Sequence, residues 1–214
     1  YNISPETLVE ERHPSATVAR FLKQKEEIDS RFATCANGAQ YRKDVHGFLP
    51  EMMQTIYDER TIYKKKMLVS KQKYEKQPTE QLKRDISKFN NLQLARKIQL
   101  NSAYGAIGNQ YFRYFDVRHA EGITKAGQLA IRWIERDVNK YFNELMKTKN
   151  VSYVVASDTD SIYVKLGAVV DKIFKDKSDT RKIVKVLDKF CEEKLQKEID
   201  RSYDKLAKYT NAYE

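Results

Sequence analysis

Two aspartates stand two residues apart in a short polar segment, Ser157-Asp158-Thr159-Asp160-Ser161, between two runs rich in β-branched and aromatic residues. Such runs predict the strands of a β-hairpin with the polar segment at its tip. In an extended backbone, side chains at i and i+2 point the same way, so the carboxylates of Asp158 and Asp160 should lie close together. Close carboxylates repel unless a proton or cation compensates, and Mg²⁺ often shares one or two carboxylates with substrate phosphates. The tip therefore indicates a Mg²⁺–phosphate site, although Asp, Ser and Thr are also ordinary residues of hairpin turns.

A second group of residues could hold a nucleotide. Lys97, Asn101, Tyr104 and Gly108 follow one another at i, i+4, i+7 and i+11, which places them on one face of a helix. The amine of Lys97 would neutralise a phosphate, and the ring of Tyr104 offers a flat face to a base or sugar. The alternative is structural: Asn101 would make a hydrogen bond at the helix end, and Tyr104 would pack in a core.

Positive charge is concentrated in one segment of the chain. The 214 residues carry a formal net charge of +10 with a pI near 9.4, which favours a polyanionic partner. Arg60 and Lys64, at i and i+4 on the preceding helix, could direct two more cations at the same phosphates. A solvated helix face is the alternative interpretation of such a run. Between residues 60 and 97, three acids stand against twelve basic residues, which are Arg60, Lys64, Lys65, Lys66, Lys71, Lys73, Lys76, Lys83, Arg84, Lys88, Arg96 and Lys97.

The elements that carry these cations are predicted to be two antiparallel helices, over about 51–77 and 79–104. Apolar residues recur at helical spacing in both ranges. Pro50 suits the first helical position, Pro78 ends the first helix, and Thr79 can cap the second.

The remaining elements are predicted in less detail. Gly105 and Gly108 should close the helical hairpin. We expect a partial helix within 16–32, a β-hairpin with strands at 32–35 and 39–43 around Asn37-Gly38, and an extended segment over 111–118. A long amphipathic helix should precede the acidic hairpin, and a last helix or helix pair should start near Ser178. The core stripe of the long helix is predicted to be Ile123, Ala130, Ile134, Val138, Tyr141 and Leu145, with Trp133 beside it.

The two motifs together resemble those of a known family. The segment Lys97-Ile-Gln-Leu-Asn101-Ser-Ala-Tyr104-Gly105, followed by Ser157-Asp-Thr-Asp-Ser161, is similar to motifs B and C of family B (α-type) DNA polymerases. The wider sequence, with Asn-Ile-Ser-Pro-Glu-Thr at 2–7 and Ile-Glu-Arg at 134–136, most resembles the polymerases of T-even-type bacteriophages. The similarity extends over nearly the whole chain.

The resemblance implies a role for each matched residue. Asp160 would be the principal metal ligand and, with Asp158, a catalytic carboxylate for two Mg²⁺ ions, with Mn²⁺ as a possible substitute. Arg60 and Lys97 would bind the triphosphate of the incoming nucleotide, with Lys64 assisting. The other expected contacts are Asn101 with the nucleotide, Tyr104 beneath the nascent base pair, and Gly105, Gly108, Ser157 and Thr159 against the DNA.

The resemblance also implies an α+β fold, namely part of a polymerase palm (an antiparallel sheet with packed helices) with an inserted two-helix fingers hairpin. The palm would comprise 1–49 and 109–214, and the fingers would comprise 50–108. The family's motif A is expected shortly before Tyr1, and the exonuclease, the thumb and a primer-gripping motif also lie outside the sequence. We therefore expect template-directed nucleotidyl transfer as the function, with primer–template DNA and dNTPs as partners. We do not expect the chain alone to extend a primer above an Asp160→Asn control; the missing segments could act as a separate chain.

Two other classes of protein remain as alternatives. A non-catalytic basic nucleic-acid-binding module would use the cations but not the carboxylates, so Asp→Ala changes at the tip should tighten its binding to DNA. A helical scaffold protein would show no salt-dependent DNA binding. No apolar run approaches the length of a membrane span, so no membrane partner is expected. Two distant cysteines, Cys35 and Cys191, favour a reducing compartment, which is the host cytoplasm if a phage encodes the chain.

Overall fold

The computed structural model describes residues 1–175 and 178–213, and its contacts separate into two compact units. The hairpin unit comprises Asn2–Glu10 and Tyr41–Glu121, and the carboxylate unit comprises Tyr1, Glu11–Gln40 and Gly122–Glu214. Mixed α/β content is confirmed, and helices predominate. The regular elements are α1 (Val18–Leu22), β1 (Phe32–Thr34), β2 (Gln40–Arg42), α2 (Phe48–Lys76), α3 (Glu80–Ile107), α4 (Val117–Met146), β3 (Val154–Asp158), β4 (Ser161–Val164), α5 (Gly167–Ile173), α6 (Thr180–Phe190) and α7 (Gln196–Thr210), with a 3₁₀ turn at Pro5–Thr7 and a π-helical turn at Cys191–Leu195.

The predicted helical hairpin is confirmed as α2 and α3. Thr79 is the N-cap of α3, where its hydroxyl accepts a hydrogen bond of 3.2 Å from the amide of Leu82. Gln77 is the C-cap of α2 and immediately precedes Pro78, as expected from the missing amide of proline. The start of α2 differs from the prediction, because Gly47 is the N-cap and Pro50 is the third helical residue, not the first. Proline is tolerated there because the first-turn amides have no partner within the helix.

The end of α3 agrees with one of the two predicted glycines. Gly108 is the C-cap, with a φ of −82°, and its amide donates to the carbonyl of Tyr104. Gly105 instead lies inside α3, and a Cβ built on it would meet no atom within 4 Å. Gly105 therefore leaves a bare surface on the last turn of the helix and does not end it.

The extended segment predicted over 111–118 is wrong. Hydrogen-bonded turns occupy this region, with the amide of Phe112 donating to Asn109 and that of Phe115 donating to Phe112. The α4 helix then begins at Val117. Asp116 accounts for this start, because its carboxylate accepts from the amide of Arg118 at 2.8 Å, as an N-cap does.

The long amphipathic helix is confirmed as α4, and it contributes to two apolar clusters in the carboxylate unit. Leu129 and Trp133 pack with α1 and α7, and Ile134, Val138 and Phe142 pack around the start of β3. The predicted stripe is wrong at its end, because 37% of the Leu145 side chain is exposed. Its neighbour Met146 packs against the second cluster instead, because one further residue turns the side chain by about 100° around the helix.

The end of the chain contains more elements than the sequence predicted. Asp179 caps α6, and a π-helical turn joins α6 to α7, so a helix pair near Ser178 is confirmed. The short α5 helix was not predicted. Gly38, with a φ of 85°, forms the predicted turn after β1. Within residues 1–175 and 178–213, no helix combines the length and apolar character needed to cross a membrane.

Candidate functional site

The predicted acidic hairpin is formed by β3 and β4, but its two aspartates are related by a turn. Asp158 pairs with Ser161 at the end of the ladder, so the connection contains only Thr159 and Asp160. Thr159 has a φ of 54°, a conformation that a β-branched residue rarely adopts. The chain therefore reverses between the carboxylates, and the prediction from an extended i, i+2 backbone is corrected. A two-residue loop still keeps both carboxylates at one end of the hairpin.

The hairpin tip presents oxygen atoms to solvent. Ser157, Asp158, Thr159 and Asp160 are all exposed, and the Thr159 hydroxyl donates to an Asp158 carboxylate oxygen at 3.0 Å. Neither aspartate forms an ion pair with any residue that the structure describes. The same part of the chain contains no cluster of three acidic, histidine or cysteine side chains for a metal ion. Two carboxylates nevertheless fit Mg²⁺ when substrate phosphates and water complete its oxygen ligands.

An asparagine on α4 fixes the start of the strand that leads to Asp158. The Oδ1 atom of Asn139 accepts hydrogen bonds from the amides of Tyr153 at 2.7 Å and Val154 at 3.0 Å. Both of these residues are buried, with 5% of each exposed. A buried amide without a partner costs about 1–3 kcal/mol, so Asn139 contributes substantially to the position of β3.

A second asparagine, one turn later on α4, holds the loop before β3. Asn143 donates through Nδ2 to the carbonyls of Val151 at 2.7 Å and Asn139 at 2.8 Å. Its Oδ1 accepts from the amide of Val151 at 3.0 Å and from the hydroxyl of Thr148 at 2.9 Å. Sequence reasoning missed this pair, which we call the asparagine latch. The i, i+4 spacing of two asparagines in the middle of a helix was the available signal.

One tyrosine on α7 responds to the charge at the hairpin tip. Burial raises the pKa of the Tyr203 phenol, and the negative charge of Asp160 raises that pKa further. Spacing in the sequence did not indicate this effect of Asp160 on Tyr203.

The hairpin unit carries the three predicted phosphate-binding cations, Arg60, Lys64 and Lys97, on one side of α2 and α3. Arg96 forms an ion pair with Glu59, and Lys66 lies 5.8 Å from the ring centre of Phe89, so the helices run antiparallel. Arg60 follows Glu59 on α2, and Lys97 follows Arg96 on α3. Each step of one residue turns the side chain by about 100° around the helix axis, which carries it across the face between the helices. Because the helices are antiparallel, both steps lead to the same side, which carries Arg60 and Lys97.

We call this side the Lys97 flank, and the opposite side the Arg96 flank. Helical spacing assigns Arg60, Lys64, Lys71, Lys83 and Lys97 to the Lys97 flank, and Glu59, Lys66, Lys73, Asp85, Lys88 and Arg96 to the Arg96 flank. Asn101 and Tyr104, the other predicted nucleotide contacts, lie on the Lys97 flank.

The predicted contacts are available to a ligand. Lys64, Lys97 and Asn101 are exposed, and 45% of Tyr104 is exposed, so Tyr104 does not pack in a core. Arg60 is half-buried, and among the described residues its Nε atom has no hydrogen-bond partner although the atom is buried. An unpaired buried N–H is costly, and an incoming anion would satisfy it.

The structure thus groups the predicted residues into two sets. Arg60, Lys64, Lys97, Asn101 and Tyr104 belong to the hairpin unit, and Asp158 and Asp160 belong to the carboxylate unit. The first set provides cations, an amide and a ring. The second provides hard oxygen ligands.

Comparison with known proteins identifies the family. The model of DNA polymerase family B matches residues 1–208. The chain belongs to DNA polymerase family B. This family B chain is 32% identical to the DNA-directed DNA polymerase of Escherichia phage RB69 and 28% identical to that of Enterobacteria phage T4. Each alignment covers 98% of the chain and 28% of the phage polymerase, so the chain spans little more than a quarter of these relatives.

A solved structure also resembles the family B chain. The family B DNA polymerase of the archaeon Pyrobaculum calidifontis aligns with a TM-score of 0.45 and 23% sequence identity. The alignment covers 92% of the chain and 20% of the archaeal polymerase.

Proposed function

We propose that this chain is the nucleotide- and metal-binding part of a DNA-directed DNA polymerase, with α2 and α3 as its fingers and the carboxylate unit as part of its palm. Its reaction would be template-directed nucleotidyl transfer, in which a primer 3′-hydroxyl attacks the α-phosphate of a dNTP and pyrophosphate leaves. Membership of family B supports this reaction. The observation that carries the proposal is the unpaired Nε of Arg60 on the same flank as Lys64 and Lys97.

The residues of the Lys97 flank would position the triphosphate. Arg60 would bind two phosphate oxygens through its planar guanidinium, whereas Lys64 and Lys97 would act as point charges. Asn101 would hydrogen-bond the nucleotide, and Tyr104 would stack beneath the nascent base pair with Gly105 leaving room for DNA. The helices thus supply positioning and electrostatic stabilisation, which are the main sources of catalysis in phosphoryl transfer.

The residues of the acidic tip would hold Mg²⁺. Asp160 and Asp158 would provide carboxylate ligands, and Ser157 and Thr159 would lie against the DNA. When bound, divalent ions at such a site lower the barrier by stabilising charge on the attacking and leaving oxygens. The described residues offer only two carboxylates here, so we expect nucleotide binding without primer extension from the 214-residue chain alone.

A matched pair of variants tests the nucleotide site. Lys97→Gln and Lys88→Gln each remove one exposed lysine from α3, but on opposite flanks. We expect Lys97→Gln to weaken dATP binding on the order of ten-fold in equilibrium dialysis, because a lost charge-assisted phosphate contact costs about 1.4 kcal/mol or more. Lys88→Gln should bind as the unmodified chain does. Equal affinities for the two variants would contradict the proposed site.

The alternative of a non-catalytic nucleic-acid-binding module predicts a different response at the acidic tip. Under that alternative, Asp158→Ala and Asp160→Ala should tighten DNA binding by removing repulsion. The Mg²⁺ concentration should then have no effect on nucleotide binding.

A further inference from the structure

The ribbon formed by β3 and β4 leaves the core of the carboxylate unit close to the start of β3. Tyr153 and Val154 are buried, whereas every residue of β3 after Val154 is exposed. On β4, Ile162 and Val164 pack against the same apolar cluster as the start of β3. Tyr163, which lies between them, is 58% exposed. One face of the ribbon is therefore turned toward the core and the other toward solvent.

The pairing of the two strands is irregular at Val155. Val154 pairs with Val164 on β4, and Ala156 pairs with the next residue of β4, Tyr163. Val155 is therefore one extra residue on β3 with no counterpart on β4, which is the arrangement of a β-bulge. Because side chains alternate between the faces of a strand, one extra residue reverses the alternation beyond it.

This bulge decides which face of the ribbon carries Asp158. Residues that pair across a ladder share a face, and Asp158 pairs with Ser161. Ser161 shares the solvent face with Tyr163, two residues later on β4. In a strand without a bulge, Asp158 would instead share the core face with Val154, because four residues separate them. The bulge thus turns the Asp158 carboxylate away from the core.

Asn139 on α4 fixes the backbone immediately before the bulge. Its Oδ1 atom accepts from the amides of Tyr153 and Val154, at 2.7 and 3.0 Å. The carbonyl of Tyr153 in turn accepts from the amide of Lys165, just after β4, at 2.8 Å. Both strands of the ribbon are therefore held at one point beside α4, and the bulge sets the direction of the ribbon from that point.

We propose that Asn139 is a positioning residue for the proposed Mg²⁺ site, because it fixes the point from which the Val155 bulge directs Asp158 toward solvent. This inference rests on the proposed function, which assigns the acidic tip to a metal ion. Asn139 acts through β3 and is not itself a ligand. Without its Oδ1 acceptor, two buried amides would need other partners, so the start of β3 would move and the tip would move with it.

A Mn²⁺ titration of variants of the chain tests this role, with the unbound ion measured by electron paramagnetic resonance. Mn²⁺ takes the same oxygen ligands as Mg²⁺. Asn139→Asp keeps the acceptor, Asn139→Gln moves it by one methylene, and Asn139→Leu removes it at a similar side-chain size. Leu129→Ala is the control, because it destabilises the other apolar cluster of the unit, which contains no residue of β3. Asp158→Asn identifies the ions bound at the tip, and circular dichroism checks that each variant is folded.

We expect Asn139→Leu to weaken Mn²⁺ binding at the tip on the order of ten-fold, as loss of a group that orients a metal ligand does, and Asn139→Gln to weaken it as well. Asn139→Asp and Leu129→Ala should bind as the unmodified chain does. A purely structural role predicts otherwise: Asn139→Leu and Leu129→Ala would both lower the number of folded molecules and leave the affinity of each folded molecule unchanged.

Unchanged Mn²⁺ affinity in both Asn139→Leu and Asn139→Gln, with binding lost in Asp158→Asn, would overturn the positioning role and leave the proposed metal site intact. Unchanged Mn²⁺ binding in Asp158→Asn would show that the tip holds no metal. That result would contradict the proposed function and remove the premise of the inference.

Discussion

At the scale of single residues, Thr159 is the most unusual position of the acidic tip. It occupies the first position of a two-residue turn with a φ of 54°, where glycine is the common residue. A left-handed conformation costs about 1–2 kcal/mol for a residue with a Cβ. Strain of this kind persists where the surroundings require it, often at functional sites.

We therefore expect Thr159→Gly to be more stable than Thr159→Ala by about 1 kcal/mol, because only glycine escapes the penalty on positive φ. Urea unfolding of the two variants measures this difference. Indistinguishable midpoints would show that the turn is not strained at Thr159.

His119 is a buried histidine in the hairpin unit. Its Nδ1 lies 3.1 Å from the hydroxyl of Tyr41, and 1% of the residue is exposed. Burial lowers the pKa of the ring; Asp116 and Glu6 act against this shift, and Arg118 acts with it. The ring is therefore neutral in the folded chain at a pH where the unfolded chain already binds a proton.

The dependence of stability on pH follows from this difference in bound protons between the folded and unfolded states. Between the lowered pKa and the ordinary value of about 6.5, the unfolded state binds more protons, so stability rises with pH. We expect the free energy of unfolding to fall as pH drops below about 6.5, by at most about 1.4 kcal/mol per pH unit from this group. In His119→Gln, urea melts at several pH values should show a flatter dependence. An unchanged dependence would contradict the assignment to His119.

At the scale of elements, the asparagine latch connects the core helix α4 to the acidic tip. Asn139 acts only as an acceptor toward β3, whereas Asn143 both donates to and accepts from the loop. A carboxylate can replace the first function but cannot supply the donor of the second.

We expect Asn139→Asp to retain most of the stability, and Asn139→Leu to lose about 2 kcal/mol, because two amides are left unpaired. Asn143→Asp should lose stability as well, through the unpaired carbonyl of Val151. Urea melts and the exchange rates of the Tyr153 and Val154 amides would measure these effects. Equal tolerance of aspartate at both positions would contradict these roles of Asn139 and Asn143.

The same elements illustrate which structure the sequence can predict. Local signals sufficed for α2 and α3, because Pro78 stops one helix and the Thr79 hydroxyl starts the next. Local signals failed between Asn109 and Asp116, where side-chain and turn hydrogen bonds override an aromatic–polar alternation. The latch depends on contacts between residues up to fifteen apart, which periodicity does not register. Flank membership was predictable from helical spacing, but the unpaired Nε of Arg60 was not.

At the scale of the whole molecule, charge distinguishes the two units. The hairpin unit contains the basic segment that accounts for most of the net charge of +10, and the carboxylate unit contains the acidic tip. Under the proposed function, the phosphates of the nucleotide would require the cations and its Mg²⁺ would require the carboxylates. The central claim is that Asp158 and Asp160 serve this metal.

The most direct test is the effect of Mg²⁺ on dATP affinity, measured by titration calorimetry. We expect Mg²⁺ to tighten dATP binding by the unmodified chain on the order of ten-fold, and to have little effect in Asp160→Asn. Glu192→Gln, which removes an exposed carboxylate from the same unit, is the control and should keep the full Mg²⁺ effect. If Asp160→Asn retains the same dependence on Mg²⁺ as the control, the acidic tip does not hold the metal and the proposed function is contradicted.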